Sequence, residues 1–409
     1  MQPSPRSPYV VLLVFSLVGV IFAGISTADF VAHLDRQVHA ITCSYVPGLD
    51  KPDISGSSGC YAVLMSPYSS VLRTWTWGGI PIALPALSVF AYLLFRGLDL
   101  FLRRDERNRT ETRFLVAATL LPLLTSGIYY WVSKSLVGEV CKLCVGTYFS
   151  SIGVFAAALW AHFTAADTEP EDKPAGSPWG RYLLYFAEGV VFVVLPLLLY
   201  LMLKPGYSVA LGECGELRHP EDKYGVRIKL NRNSRGVPAL EILDPLCPAC
   251  KHFAERLEAS GPTDRLALES VVFPLDKECN WMVSESLHPG ACGVSEALLC
   301  AGDRAPQVLA WAFAHQEELL AMAEQDPERV TDALRRQFPF VADCIGKPGV
   351  RARLNRSLRW SVSNSLPVLA PQLYVRNQKV CDEDTDLGLE YVLTRILEGE
   401  AGTRSVERR

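Results

Sequence analysis

Two cysteine pairs with identical spacing are the residues in this chain best placed to do chemistry. Cys141 and Cys144 lie in "GEVCKLCVG", and Cys247 and Cys250 in "LDPLCPACK". When such a pair opens a helix, its sulfurs come within bridging distance and the helix N-terminus favours a thiolate at the first cysteine. The chemistry is then disulfide exchange through a mixed disulfide, which needs neither metal nor nicotinamide. Zinc is the competing use, but it takes four ligands, usually from two suitably spaced pairs. Near the first dithiol only Cys43 and Cys60, joined by the Gly/Ser-rich "CSYVPGLDKPDISGSSGC", could complete such a set. A loop cysteine pair beside a dithiol at a helix start suits electron relay better.

The elements that must position these sulfurs differ between the two halves. Five nearly uncharged runs are long enough to cross about 30 Å of hydrocarbon, which takes roughly 20 helical residues. They are Tyr9 to Ala28, Thr74 to Phe95, Phe114 to Ser133, Leu143 to Ala161 and Tyr182 to Leu203. The loop between the second and third holds Arg96, Arg103, Arg104, Arg107, Arg109 and Arg113, which places it in the cytoplasm. The N-terminus is then cytoplasmic too, and an odd number of spans delivers the C-terminal half to the opposite side. Twelve cysteines on that side suit an oxidising compartment. A net charge of −4 argues against a broad nucleic-acid footprint. Glu188 falls inside the fifth run, where an acid is a candidate functional group. Trp75, Trp77, Tyr129, Tyr130 and Trp131 read as interface-belt aromatics.

Cys43, Cys60, then "SPYSSVLRTWTWGGIPIALPALSVFAYLL", then "CKLC" opening a helix resembles the vitamin K epoxide reductase family over about residues 9 to 165. The resemblance implies a four-helix core, an outer loop pair, and a C-x-x-C facing a bound quinone of ubiquinone or menaquinone type. It further implies that Cys144 faces the quinone and that Cys141 exchanges with the loop pair through Cys60. Cys43 would receive electrons from outside, and Ser66 would orient the quinone. Beside Pro67, Ser66 could instead cap a helix start.

From residue 206 the pattern becomes that of a soluble domain. "VRIKL", "ALEILD", "LALESVVFPL" and "PQLYV" read as strands, residues 284 to 345 as a helical stretch, and "TDLGLEYVLTRIL" as an amphipathic helix. Pro248 sits just inside a helix start, so strand, C-x-x-C and helix follow one another. This half resembles the thioredoxin superfamily, in particular periplasmic disulfide oxidases with a helical insertion. The resemblance implies that Pro371 is a cis-proline beside Cys247 and that it and Ala370 offer backbone to a substrate chain. The Pro-Ala dipeptide lacks the histidine of strongly oxidising members, so thiolate stabilisation falls mainly to the helix N-terminus. Cys214, Cys279, Cys292, Cys300, Cys344 and Cys381 form an even remainder with fifteen complete pairings, Cys279 with Cys292 being the natural local loop. His288 with nearby cysteines is the best alternative metal set, although no usual ligand spacing is present.

These readings give an α-helical membrane protein, a four-helix bundle plus a fifth transmembrane helix, joined to a soluble α/β thioredoxin-like domain. The expected divisions are 1–166, a cytoplasmic linker and fifth helix at 167–205, and 206–409. The expected function is an oxidase of the bacterial inner membrane. Its partners are reduced exported proteins, the membrane quinone pool and the lipid bilayer, without nucleic acid. The alternatives are a reductase of quinone or quinone epoxide driven by the soluble domain, and a non-catalytic receptor stapled by disulfides.

Overall fold

A computed structural model describes residues 6–35, 59–103, 108–165, 178–204 and 214–406, except positions 232 and 234. The chain divides into two compact units, Met1–Gly206 and Tyr207–Arg409.

The first unit is helical. Helices α1 (Ser7–Ala32), α3 (Ala83–Leu102), α4 (Arg109–Val132), α5 (Lys142–Thr164) and α6 (Pro178–Leu203) follow the apolar runs, and a short α2 (Gly59–Met65) precedes α3. Among the described residues, five helical segments are long and apolar enough to cross a membrane. The second begins later than the hydropathy suggests. Gly78 and Gly79 both take φ near +71°, and β1 (Ser70–Val71) pairs with β2 (Ile80–Pro81) before α3 starts. An apolar run marks burial, but it cannot by itself separate this hairpin from a helix.

Helix α1 packs on both α3 and α5 through glycine contacts. A Cβ on Gly19 would lie 2.4 Å from the Phe90 ring, and one on Gly153 would lie 2.3 Å from Phe15. Small residues let helix backbones approach closely where lipid supplies no hydrophobic drive. Phe15 is also held edge-on by Phe149, with ring centroids 5.6 Å apart. Gly153→Ala should therefore destabilise the detergent-solubilised protein by about 1–3 kcal/mol through overpacking. Gly127→Ala, with nothing within 4 Å of its added Cβ, should leave the melting temperature unchanged. Equal melting temperatures for the two variants would refute this close approach.

Arg96 departs from the role its charge suggested. It is buried, pairs with Asp99 and Glu111 at 3.1 Å each, and lies 3.9 Å over the Tyr185 ring. Tyr185 donates to Glu111 at 2.7 Å, so this cluster ties α3 and α4 to α6. Glu188, one turn along α6, has an Oε2 with no hydrogen-bond partner among the described residues.

The second unit holds five strands, β3 (Ile228–Lys229), β4 (Val237–Leu243), β5 (Leu266–Val272), β6 (Gln372–Val375) and β7 (Gln378–Lys379). Their order is β3-β5-β4-β6-β7, with β4 and β5 parallel and the other pairings antiparallel. Helix α7 (Pro248–Ala259) makes the crossover that a parallel pair requires. Between β5 and β6 run α8 (Ala291–Ala301), α9 (Ala305–Ala314), α10 (Gln316–Gln325), α11 (Pro327–Gln337), α12 (Pro339–Ala342) and α13 (Pro348–Ser363). Helix therefore starts later than residue 284 and continues past 345. Arg376 and Asn377, both at positive φ, turn β6 into β7, and α14 (Leu389–Val406) closes the unit. The disulfides are Cys214–Cys381, Cys279–Cys292 and Cys300–Cys344.

Candidate functional site

In the first unit, α4 ends in a π turn, Ser133–Val137, and Gly138 at φ +81° redirects the chain toward Cys141. Cys141 is the N-cap of α5, with extended backbone angles, and its carbonyl accepts from Val145 N at 3.0 Å. Cys144 therefore sits in the first helical turn. Both sulfurs are free thiols. Cys141 packs in one small cluster with Cys60 and Leu143, against which Cys144 also lies.

These residues line a cavity of about 270 Å³ that also contains Ser66. Its size lies just under the roughly 300–1,000 Å³ usual for ligand pockets, and its wall is mostly apolar with a few polar groups. That composition fits a largely apolar ligand held by a few polar contacts. Ser66 follows the end of α2 and donates to Val63 O at 2.8 Å, so it does not cap a helix start. Cys60 is in a disulfide. Cys43 lies outside the described residues.

The cavity adds groups that the sequence reading missed or placed elsewhere. Tyr148, one turn after Cys144, lines it and hydrogen-bonds the Cys144 sulfur. Asp29, near the end of α1, also reaches the wall. Tyr129 lines the cavity and Trp77 is buried, which corrects their assignment to an interface belt. Trp75, Tyr130 and Trp131 are exposed.

Residues 10–159 match the sequence model of the Vitamin K epoxide reductase family. This segment is a vitamin K epoxide reductase family domain. Members of that family are oxidoreductases that act with quinones of the vitamin K type. No curated protein and no solved structure gives a significant match to the chain.

The second dithiol lies beyond the reductase-family domain, at the end of β4. Cys247 is the N-cap of α7, with Pro248 in the first turn where a missing N–H costs little. Cys250 is fully buried, and Cys247 is 5% exposed. The Cys247 sulfur lies 3.8 Å from the carbonyl oxygen of Ala370, and the Ala370–Pro371 peptide is cis. The chain thus brings Cys247, Cys250, Ala370 and Pro371 to one place.

Cys247 has its pKa lowered to about 7, first by hydrogen bonding from Cys250 and, against the cost of burial, by His288. Cys250 is driven well above the ordinary thiol range by burial and by its bond to Cys247. The histidine absent from the Pro-Ala dipeptide is thus replaced by one from a distant segment. Cys279 and Cys292, the cysteines nearest His288 in sequence, bond to each other.

Glu241 is the other group not singled out in the sequence. It is 1% exposed in the central strand, its Oε1 has no hydrogen-bond partner among the described residues, and burial pushes its pKa up to about 8. Strand alternation sets it on the same face as Leu243, which shares a core cluster with Cys247 and Cys250.

Proposed function

We propose that the protein is a quinone-linked thiol–disulfide oxidase that makes disulfide bonds in exported proteins. One observation carries this reading: the cavity of a vitamin K epoxide reductase family domain gathers Cys60, Ser66, Cys141 and Cys144. A substrate thiolate attacks the Cys247–Cys250 disulfide at Cys247, and Cys250 leaves. A second substrate thiolate then breaks the mixed disulfide and releases Cys247. The substrate dithiol has lost two electrons and two protons, which the Cys247/Cys250 pair now holds.

That pair reduces the Cys43/Cys60 pair, Cys60 exchanges with Cys141, and the Cys141/Cys144 dithiol passes two electrons and two protons to the quinone. Ser66 orients the quinone, which leaves as quinol. Each transfer is thiolate attack on a disulfide until the last. Carrying both dithiols on one chain raises the effective concentration of donor at acceptor. In this reading the arginine-rich loop is cytoplasmic, and α6 carries the second unit to the periplasmic side of a bacterial inner membrane.

The second unit is read as thioredoxin-like. Its β4–α7–β5 crossover, the dithiol opening α7 and the cis-proline before β6 support that. Exposed apolar side chains adjoin His288 and Ala370 in sequence. Leu287 adjoins His288, and Val368 and Leu369 precede Ala370. They suit an unfolded chain presenting its cysteines.

The test is the full-length protein in lipid, given a reduced unfolded protein and a quinone. Thiol loss is expected to equal twice the quinol formed, and Cys247→Ser should abolish both. Quinol formation at an undiminished rate in Cys247→Ser would detach the second unit from the relay. Net reduction of substrate disulfides at the expense of quinol would reverse the direction.

A further inference from the structure

Asp244 ends β4 and makes the turn that presents the nucleophile. Its carbonyl accepts from Cys247 N at 3.1 Å, and its Oδ1 accepts from Leu246 N at 2.8 Å. Its Oδ2 accepts from Leu275 N at 2.7 Å and from His288 Nδ1 at 2.8 Å. His288 comes from the segment closed by the Cys279–Cys292 disulfide, forty-four residues away from Asp244 in sequence. That segment is fixed at a second point by Asp276. Asp276 accepts from Ser286 Oγ at 2.8 Å and from Gly290 N at 3.0 Å, on either side of the histidine. Asp244 is fully buried and His288 largely so.

We propose that the Cys279–Cys292 loop exists to deliver His288, clamped by Asp244, as the cation that stabilises the Cys247 thiolate. His288 is a positioning residue in this sense, since it acts through the charge on Cys247. The ionisable groups acting on Cys247 are Cys250, Asp244 and His288, and Asp276 acts in turn on His288. Burial opposes protonation of His288, but the bond and charge of Asp244 outweigh it and raise its pKa above the ordinary value. When protonated, the imidazole adds a positive charge that favours the Cys247 thiolate. When a second substrate thiolate displaces Cys247 from the mixed disulfide, the departing sulfur becomes the thiolate that His288 stabilises. The better leaving group makes this pair the more oxidising.

The inference rests on the reading of Cys247 as the exchanging sulfur, and its test needs neither quinone nor protein substrate. In the full-length protein with Cys247/Cys250 reduced, the rate of Cys247 alkylation by iodoacetamide is measured from pH 5 to 9 by mass spectrometry of its peptide. The midpoint should lie near pH 7 in the parent. His288→Ala should raise it by about one unit, so that alkylation at pH 6 slows about tenfold. Equilibration with glutathione should show a matching shift toward the Cys247–Cys250 disulfide. His288→Lys, which keeps a cation, should return both readouts toward the parent, with Cys279–Cys292 intact in each variant. An unmoved midpoint in His288→Ala overturns the proposal, as does an equal shift in the Ala and Lys variants. A protein that shows the shift yet forms no quinol would instead count against the relay alone.

Discussion

Cys144→Ser should lower quinone reduction by on the order of 10³-fold or more, the scale seen when a reacting nucleophile is removed. Cys144 lines the cavity wall and is hydrogen-bonded by Tyr148, while Cys141 packs with Cys60. Both sulfurs line the cavity, but the proposed relay gives them different partners, so their serine variants should fail differently. In Cys144→Ser the Cys141 thiolate can still attack the Cys43–Cys60 disulfide at Cys60 with Cys43 leaving, and without Cys144 only Cys43 can undo that bond, so a Cys60–Cys141 cross-linked peptide should be found. Cys141→Ser should be equally inactive but form no such species. A hydroxyl cannot substitute, because it neither ionises near neutral pH nor forms the disulfide. Quinone reduction persisting in Cys144→Ser would remove this cysteine from the electron path, whatever its place in the cavity wall.

The helices long and apolar enough to cross a membrane were legible because their signal is local. Twenty apolar residues in a row can satisfy their backbone in few ways, and α1, α4, α5 and α6 follow the hydropathy closely. The second span shows where that signal stops. "TWTWGGIPI" is as apolar as a helix, but Gly78 and Gly79 at positive φ turn it into the β1–β2 hairpin. Helix α13 was missed for the opposite reason, since only Val350, Leu354, Leu358 and Trp360 mark its apolar inner face in a run rich in arginine. Both dithiols stood at helix N-termini as their spacing suggested. What surrounds them was less legible. Tyr148 lies one turn from Cys144 and could have been found by helical spacing. His288 could not, because its approach depends on the Asp244 turn, the Asp276 anchor and a disulfide pairing that composition leaves open. Arg96 shows the same limit, since the sequence supplies its charge but not its burial against Glu111 and Tyr185.

The pH dependence of the second unit should be dominated by Glu241. Its carboxyl is held near pKa 8 in the fold against an ordinary 4.5, because burial penalises the charged form. A folded pKa above the unfolded one means that the unfolded chain releases its proton first as pH rises. The stability associated with the neutral carboxyl is thus fully present below about pH 4.5 and drains away as pH rises toward 8. The slope is about 1.4 kcal/mol per pH unit, and the total is on the order of 5 kcal/mol by pH 8. Glu241→Gln cannot ionise, so its advantage over the parent should grow from near zero at pH 4.5 to several kcal/mol at pH 8. Pulse proteolysis of the full-length protein in urea, scored on cleavage within residues 207–409, reads that difference at each pH. A constant offset between parent and variant across this range would place the titration elsewhere. Glu241→Gln is accordingly expected to be the more stable protein above neutral pH.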